Sequence, residues 1–174
     1  QRFTESPQRV LSCGLFKLSY SVTQPLRMKQ QIIQHYNHYL NDRINSLREM
    51  IVDLTEDSLN DAKGSAGDKH ETGLAMMHLE QEKLNRKLQE VVDIQSKFLK
   101  IDYSIVSNQV ILGSLVSAND TYFLISVSLP KIEIEGKNIF AVSPEAPLAQ
   151  KMLGAVLGDV ITVNQIDYLI RSIE

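Results

Sequence analysis

Between two long periodic stretches the chain reads Asn60-Asp61-Ala62-Lys63-Gly64-Ser65-Ala66-Gly67-Asp68, and the reading of the fold turns on this segment. Two glycines, a serine and an asparagine in so short a span mark a reversal of the chain. Before it, Ile33, Leu40, Leu47 and Leu54 recur every seven residues, and Tyr36, Ile44, Met50 and Ile51 flank the same stripe. After it, Met77, Leu84, Val91 and Phe98 keep the same spacing, with Leu74 and Leu88 between them. Two such stripes predict two long helices in coiled-coil contact. So short a connection makes them antiparallel neighbours. Thirty helical residues span ~45 Å, so the tip of this hairpin stands far from its base.

Outward from the hairpin the pattern changes on both sides. Residues 1–27 have no period, and the mildly apolar Val10–Leu18 is broken by Ser12, Gly14 and Lys17. Pro25 is expected to end local order there. Met28 is read as the start, and residues 1–27 as an extension without fold, a processed targeting peptide being the rival reading. Residues 28–100 are the hairpin and 101–174 a second, smaller unit. In that unit Val110–Leu112, Leu115-Val116, Tyr122–Ile125, Ile139–Val142, Val160–Val163 and Ile166–Ile173 read as strands, the last two joined at Asn164-Gln165. Ser143-Pro144 reads as a helix opening, Ser as cap and Pro in the first turn, with Gly154 ending the helix. The fold class is therefore α+β: a helical hairpin, then a small β domain with one short helix.

The whole chain has 174 residues, 43% hydrophobic and 22% charged, with a net charge of −3. That composition builds a core and is unlike a disordered chain. It excludes a uniformly basic nucleic-acid binder, so any contact with RNA is indirect or local. The single cysteine, Cys13, excludes a disulfide framework and a cysteine-based zinc site, and fits a reducing compartment. No apolar run reaches the ~18 residues of a membrane span. Trp is absent and aromatics are 6%, which argues against an aromatic-lined pocket.

Chemistry concentrates at the hairpin tip. Asp53, Glu56, Asp57, Asp61, Asp68 and Glu71 lie there against Lys63 and Lys69. Asp68 and Glu71 are three residues apart, so at a helix start they face the same way. Exposed carboxylates on an arm can hold Mg²⁺ through one or two oxygens, with water and a partner's ligands completing the octahedron. The same Asp-x-x-Glu spacing also suits a capping box with no chemistry at all, and the two readings are compatible. His70-Glu71 lacks the second histidine of a zinc-protease motif, because position 74 is Leu74. His35 and His38 share a helical face without a third ligand and read as solvated surface. Gly64–Lys69 lacks the ending of a phosphate loop.

Two sets of residues carry a resemblance. Gly67-Asp68-Lys69-His70-Glu71 is similar to the G-D-x-x-E tip of the Gre family of bacterial transcript cleavage factors. The series Gly113–Val116, Ser143–Leu148, Leu153-Gly154, Gly158–Val160 and Tyr168–Ile170 is similar, in order and spacing, to that family's FKBP-like C-terminal domain. The resemblance covers about residues 29–174. The chain departs from the family at Thr72–Ala75 after the tip, at Ala155-Val156 after the short helix, and in the closing hairpin, which lacks the usual Gly.

The resemblance implies a monomeric cytoplasmic factor that binds RNA polymerase in its secondary channel through the C-terminal domain. The tip then reaches the active centre, where Asp68 and Glu71 share a Mg²⁺ with the polymerase and support hydrolysis of backtracked RNA. The protein would be no enzyme by itself; it would stimulate the polymerase's own endonuclease activity. Three alternatives stand beside this one. A non-cleaving channel regulator would keep the shape and use the extra tip acids Asp57 and Asp61 differently. An FKBP-like chaperone or isomerase, or a bare coiled-coil adaptor, would use only one of the two units.

Overall fold

The computed structural model of the chain describes residues 23–61 and 68–174, with side chains given for residues 27–57, for Gly73 and from Ala75 onward. The structure is mixed α+β: two long helices followed by strands that form one sheet. Helix α1 runs Thr23–Asp61 and α2 Asp68–Lys100. Gln81 Nε2 donates to Thr55 Oγ1 at 3.0 Å, Gln95 Nε2 donates to Asn41 Oδ1 at 2.7 Å, and the Phe98 and Tyr36 rings lie 6.3 Å apart. The partners climb α1 as they descend α2, so the helices are antiparallel, as their short connection predicts. Leu47 and Ile44 of α1 and Leu84 of α2 are buried along the stripe.

The start of α1 corrects one expectation. Pro25 does not end local order; it stands in the first turn of a helix that begins at Thr23. A proline is tolerated there because its missing N–H has no intrahelical acceptor in any case. Residues 1–22, including Val10–Leu18 and Cys13, lie outside the described residues.

Six strands are seen among the described residues: β1 Leu115–Ala118, β2 Thr121–Ile125, β3 Ile132–Ile134, β4 Lys137–Val142, β5 Val160–Val163 and β6 Ile166–Ile173. Their order is β3-β4-β2-β1-β6-β5, with β2 and β4 parallel and the other neighbours antiparallel. A short helix α3, Pro147–Met152, precedes β5. The period of two in the strands divides the core between the two faces of the sheet. Leu115, Leu124, Ile139 and Ala141 meet Met28, Ile32, Tyr36, Leu40 and Phe98 of the helix pair. Val116, Ala118, Phe123, Ile125 and Ile170 meet Ala149 and Met152 of α3. Every residue of β1 is buried because both of its faces are covered.

This arrangement explains where the heptad reading drifted. At the base, α1 is wrapped by α2 and by the sheet, so Ile32 is buried outright while Ile33, the expected stripe residue, is half-buried. Farther out the sheet ends, and Met50, read as part of the stripe, is 46% exposed.

Two local expectations also need correction, and one strand has no counterpart in the sequence reading. Val110–Leu112 is not a strand: Val110 is buried by backbone bonds with Gly154 and Ala155, and residues 111–114 turn into β1. Strand β3 was not foreseen; its Ile132-Glu133-Ile134 alternation is too short to stand out. Helix α3 begins at Pro147, not at Pro144, with Ala146 as a cap that makes no side-chain bond. Ser143–Ala146 is instead a turn closed by Ala146 N–H to Ser143 O at 2.9 Å. A second proline three residues later offers an equally good first-turn position. Gly154 does follow the helix end with φ +82°, the left-handed conformation that glycine adopts without strain.

The closing hairpin turns at Asn164-Gln165 as expected, with φ of 51° and 66°. Both residues sit in the left-handed region that a two-residue hairpin turn requires, and Gln is poorly suited to it. Gln165→Gly is therefore expected to stabilise the protein by about 1 kcal/mol, a rise in Tm of roughly 2–4 °C by scanning calorimetry. An unchanged or lower Tm would show that the turn carries no strain.

Candidate functional site at the far end of the helix pair

The tip is built by helix ends. Asp53, Glu56 and Asp57 are exposed on the outer turns of α1, which ends at Asp61. Asp68 is the first residue of α2 and Glu71 stands in its first turn. The backbone therefore agrees with the reading of both residues at a helix start, three positions apart and on one side. Their side chains, and residues 62–67, lie outside the described residues. Among the described residues, no three His, Cys, Asp or Glu side chains form a group able to hold a metal. His35 and His38 are exposed on α1, and His38 Nε2 lies 3.2 Å from the Asp42 carboxylate, as suits a solvated helix face.

The base of the arm is held by a second polar cluster, which the sequence did not announce. Lys29 is 4% exposed, and its Nζ donates to Glu174 O at 2.9 Å. Burial pulls the Lys29 ammonium below its usual pKa, against the opposing pull of the Glu174 and Asp102 charges. Burial pushes the Glu174 carboxyl up, with Lys29 and Lys137 opposing. Its Oε2 is buried without a hydrogen-bond partner among the described residues. These four residues come from α1, the segment after α2, β4 and the residue after β6, so no local signal in the sequence links them. Tyr36 adds a further tie: its hydroxyl donates to Pro130 O at 3.0 Å, and burial pushes its pKa up to about 12, so it is neutral. At Gly113, φ is +89° and an added Cβ would lie 2.8 Å from Asp102 O, so only glycine lets the segment leaving α2 pass so close to the start of β1.

The raised Glu174 pKa makes a pH prediction. The folded state holds the Glu174 proton more tightly than the unfolded chain does. This group's contribution to stability is thus fully present below the ordinary carboxylate range and is lost as pH rises through its raised folded pKa. Glu174→Gln is expected to be more stable than the parent at pH 7, and the advantage is expected to shrink as pH falls toward 4. Urea unfolding at a series of pH values reads this directly; a parent more stable than the variant at pH 7 would show that the pairing with Lys29 and Lys137 wins over desolvation.

No protein-family model, no curated protein and no solved structure matches this chain. Among the described residues, no helix is long and apolar enough to cross a membrane.

Proposed function

We propose that this chain is a transcription factor of bacterial type that works through RNA polymerase, stimulating cleavage of backtracked RNA from the secondary channel. In this reading the helix pair is a coiled-coil hairpin and the sheet with α3 is an FKBP-like docking domain. Asp68 and Glu71 are the groups carried into the polymerase active centre, and the protein works in the cytoplasm as a monomer. The observation that carries the proposal is the arm itself. Helices of 39 and 33 residues pack antiparallel, the sheet covers only their base, and α2 opens at the far end with Asp68.

Two carboxylates in one helical turn are hard oxygen donors of the kind Mg²⁺ takes in ones and twos, so Asp68 and Glu71 fit a metal shared with a partner's ligands. Such an ion, when bound, supplies Lewis-acid activation of water and charge neutralisation at a phosphoryl centre. The chain's own contribution is to carry the two carboxylates on a long helical pair braced at its base. An acidic protein need not grip RNA for this, since it meets the transcript only inside the polymerase.

The deciding experiment adds the protein to stalled, backtracked elongation complexes and follows the RNA 3′ end on a gel. Shortened RNA with polymerase and protein together, and none with the protein alone, is the expected result. RNA left intact, with initiation altered, would replace this reading with that of the non-cleaving channel regulator. No effect of either kind would remove polymerase from the account.

A further inference from the structure

We infer that the cleft in the elbow between the end of α2 and the sheet is a binding site for an aliphatic carboxylate, a small molecule with a hydrocarbon body and one anionic head. The cleft has a volume of about 490 Å³, within the range of small-molecule sites. Its walls are aliphatic: Ile94 and Ile101 at the end of α2, Leu112 before β1, and Val127 after β2. None of the lining residues is aromatic, so a flat base would find no ring on which to stack, whereas a hydrocarbon chain would find four branched side chains.

The head group is placed by charge. Lys97 and Lys100 line the same cleft, three residues apart in the last turns of α2 and therefore on one face. Among the described residues neither ammonium is paired with a carboxylate. Two positive charges exceed the partial negative charge of a helix C-terminus, about half a unit, so this rim attracts an anion. Glu145 also lines the cleft, its carboxylate accepting a hydrogen bond from Ser143 Oγ at 3.1 Å; its negative charge offsets one of the two lysines and repels an anionic head, which is therefore placed at Lys97 and Lys100. The ligand would thus lie with its carboxylate at Lys97 and Lys100 and its chain over Ile94, Ile101, Leu112 and Val127. This site is separate from the far end of the arm and does not depend on the polymerase reading.

Decanoate is a suitable probe, added to the full chain carrying labelled methyl groups and followed by NMR below its micelle concentration. Saturable shifts at the Ile94, Ile101, Leu112 and Val127 methyls are expected. Decanol, with the same tail and no charge, is expected to bind about tenfold more weakly, as is decanoate to the Lys97→Glu/Lys100→Glu variant. Both lysines are exposed, so the variant is expected to fold, and its spectrum reports this in the same experiment. Acetate, a head without a body, is expected to leave the methyls unmoved. An absence of saturable shifts, shifts centred instead on the exposed Val156 and Leu157, or equal affinity for the folded double variant would each overturn the assignment.

Discussion

If the chain acts through RNA polymerase as proposed, Asp68→Asn and Glu71→Gln are each expected to lower stimulated RNA cleavage by roughly two orders of magnitude or more while leaving polymerase binding nearly unchanged. The amide swaps keep the size of each side chain and remove the negative charge that Mg²⁺ requires. They also separate chemistry from structure. Asp68 opens α2 and Glu71 lies in its first turn, where both could serve only as helix-capping groups. Asn caps as well as Asp, and Gln replaces Glu in a capping box, so a purely structural role predicts variants silent in both melting and cleavage. Lost cleavage with unchanged melting supports the metal role. Raised Mg²⁺ is then expected to restore part of the activity of either single variant, since occupancy of a weakened site follows mass action. Cleavage retained by both variants would refute the assignment of these two residues.

Phe98→Ala is expected to be the most damaging change to the fold, at about 3–5 kcal/mol. Phe98 is fully buried where the two helices meet the sheet. Its ring lies 6.3 Å from Tyr36 of α1 and 5.2 Å from Tyr103, and its carbonyl accepts the Tyr103 hydroxyl at 3.1 Å. Removing the ring opens a cavity in the core that joins the arm to the sheet, which cannot collapse without moving one of them. Against a total stability of about 5–15 kcal/mol, the loss corresponds to a fall in Tm of roughly 6–20 °C. Leu79→Ala supplies the contrast: Leu79 is 54% exposed on the outer half of α2, and its truncation is expected to stay within about 0.5 kcal/mol. Equal losses for the two variants would show that the arm is held by its own stripe and not by the shared core.

What the sequence determined by itself is what local physics governs. Heptad spacing and a glycine-rich reversal specify two helices and their antiparallel packing, because side-chain direction on a helix follows from residue number alone. Alternation and turn residues placed β5, β6 and the Asn164-Gln165 turn without error, since a two-residue hairpin is a local structure. The placement of Asp68 and Glu71 in the first turn of α2 was legible for the same reason, their spacing being that of one helical turn. Other features belong to the tertiary structure. Ile32, not Ile33, is the buried residue at the base because the sheet adds a second wall that the heptad pattern does not contain. Val110 failed as a strand because its backbone partners, Gly154 and Ala155, lie more than forty residues away. Between two equally good prolines, Pro147 opens α3 because Ser143–Ala146 is held as a turn. The Lys29–Glu174 cluster joins the start of α1 to the residue after β6, and the elbow cleft gathers side chains from Ile94 to Glu145. Contacts between residues so far apart are set by how the layers pack, and no window of neighbouring residues encodes them.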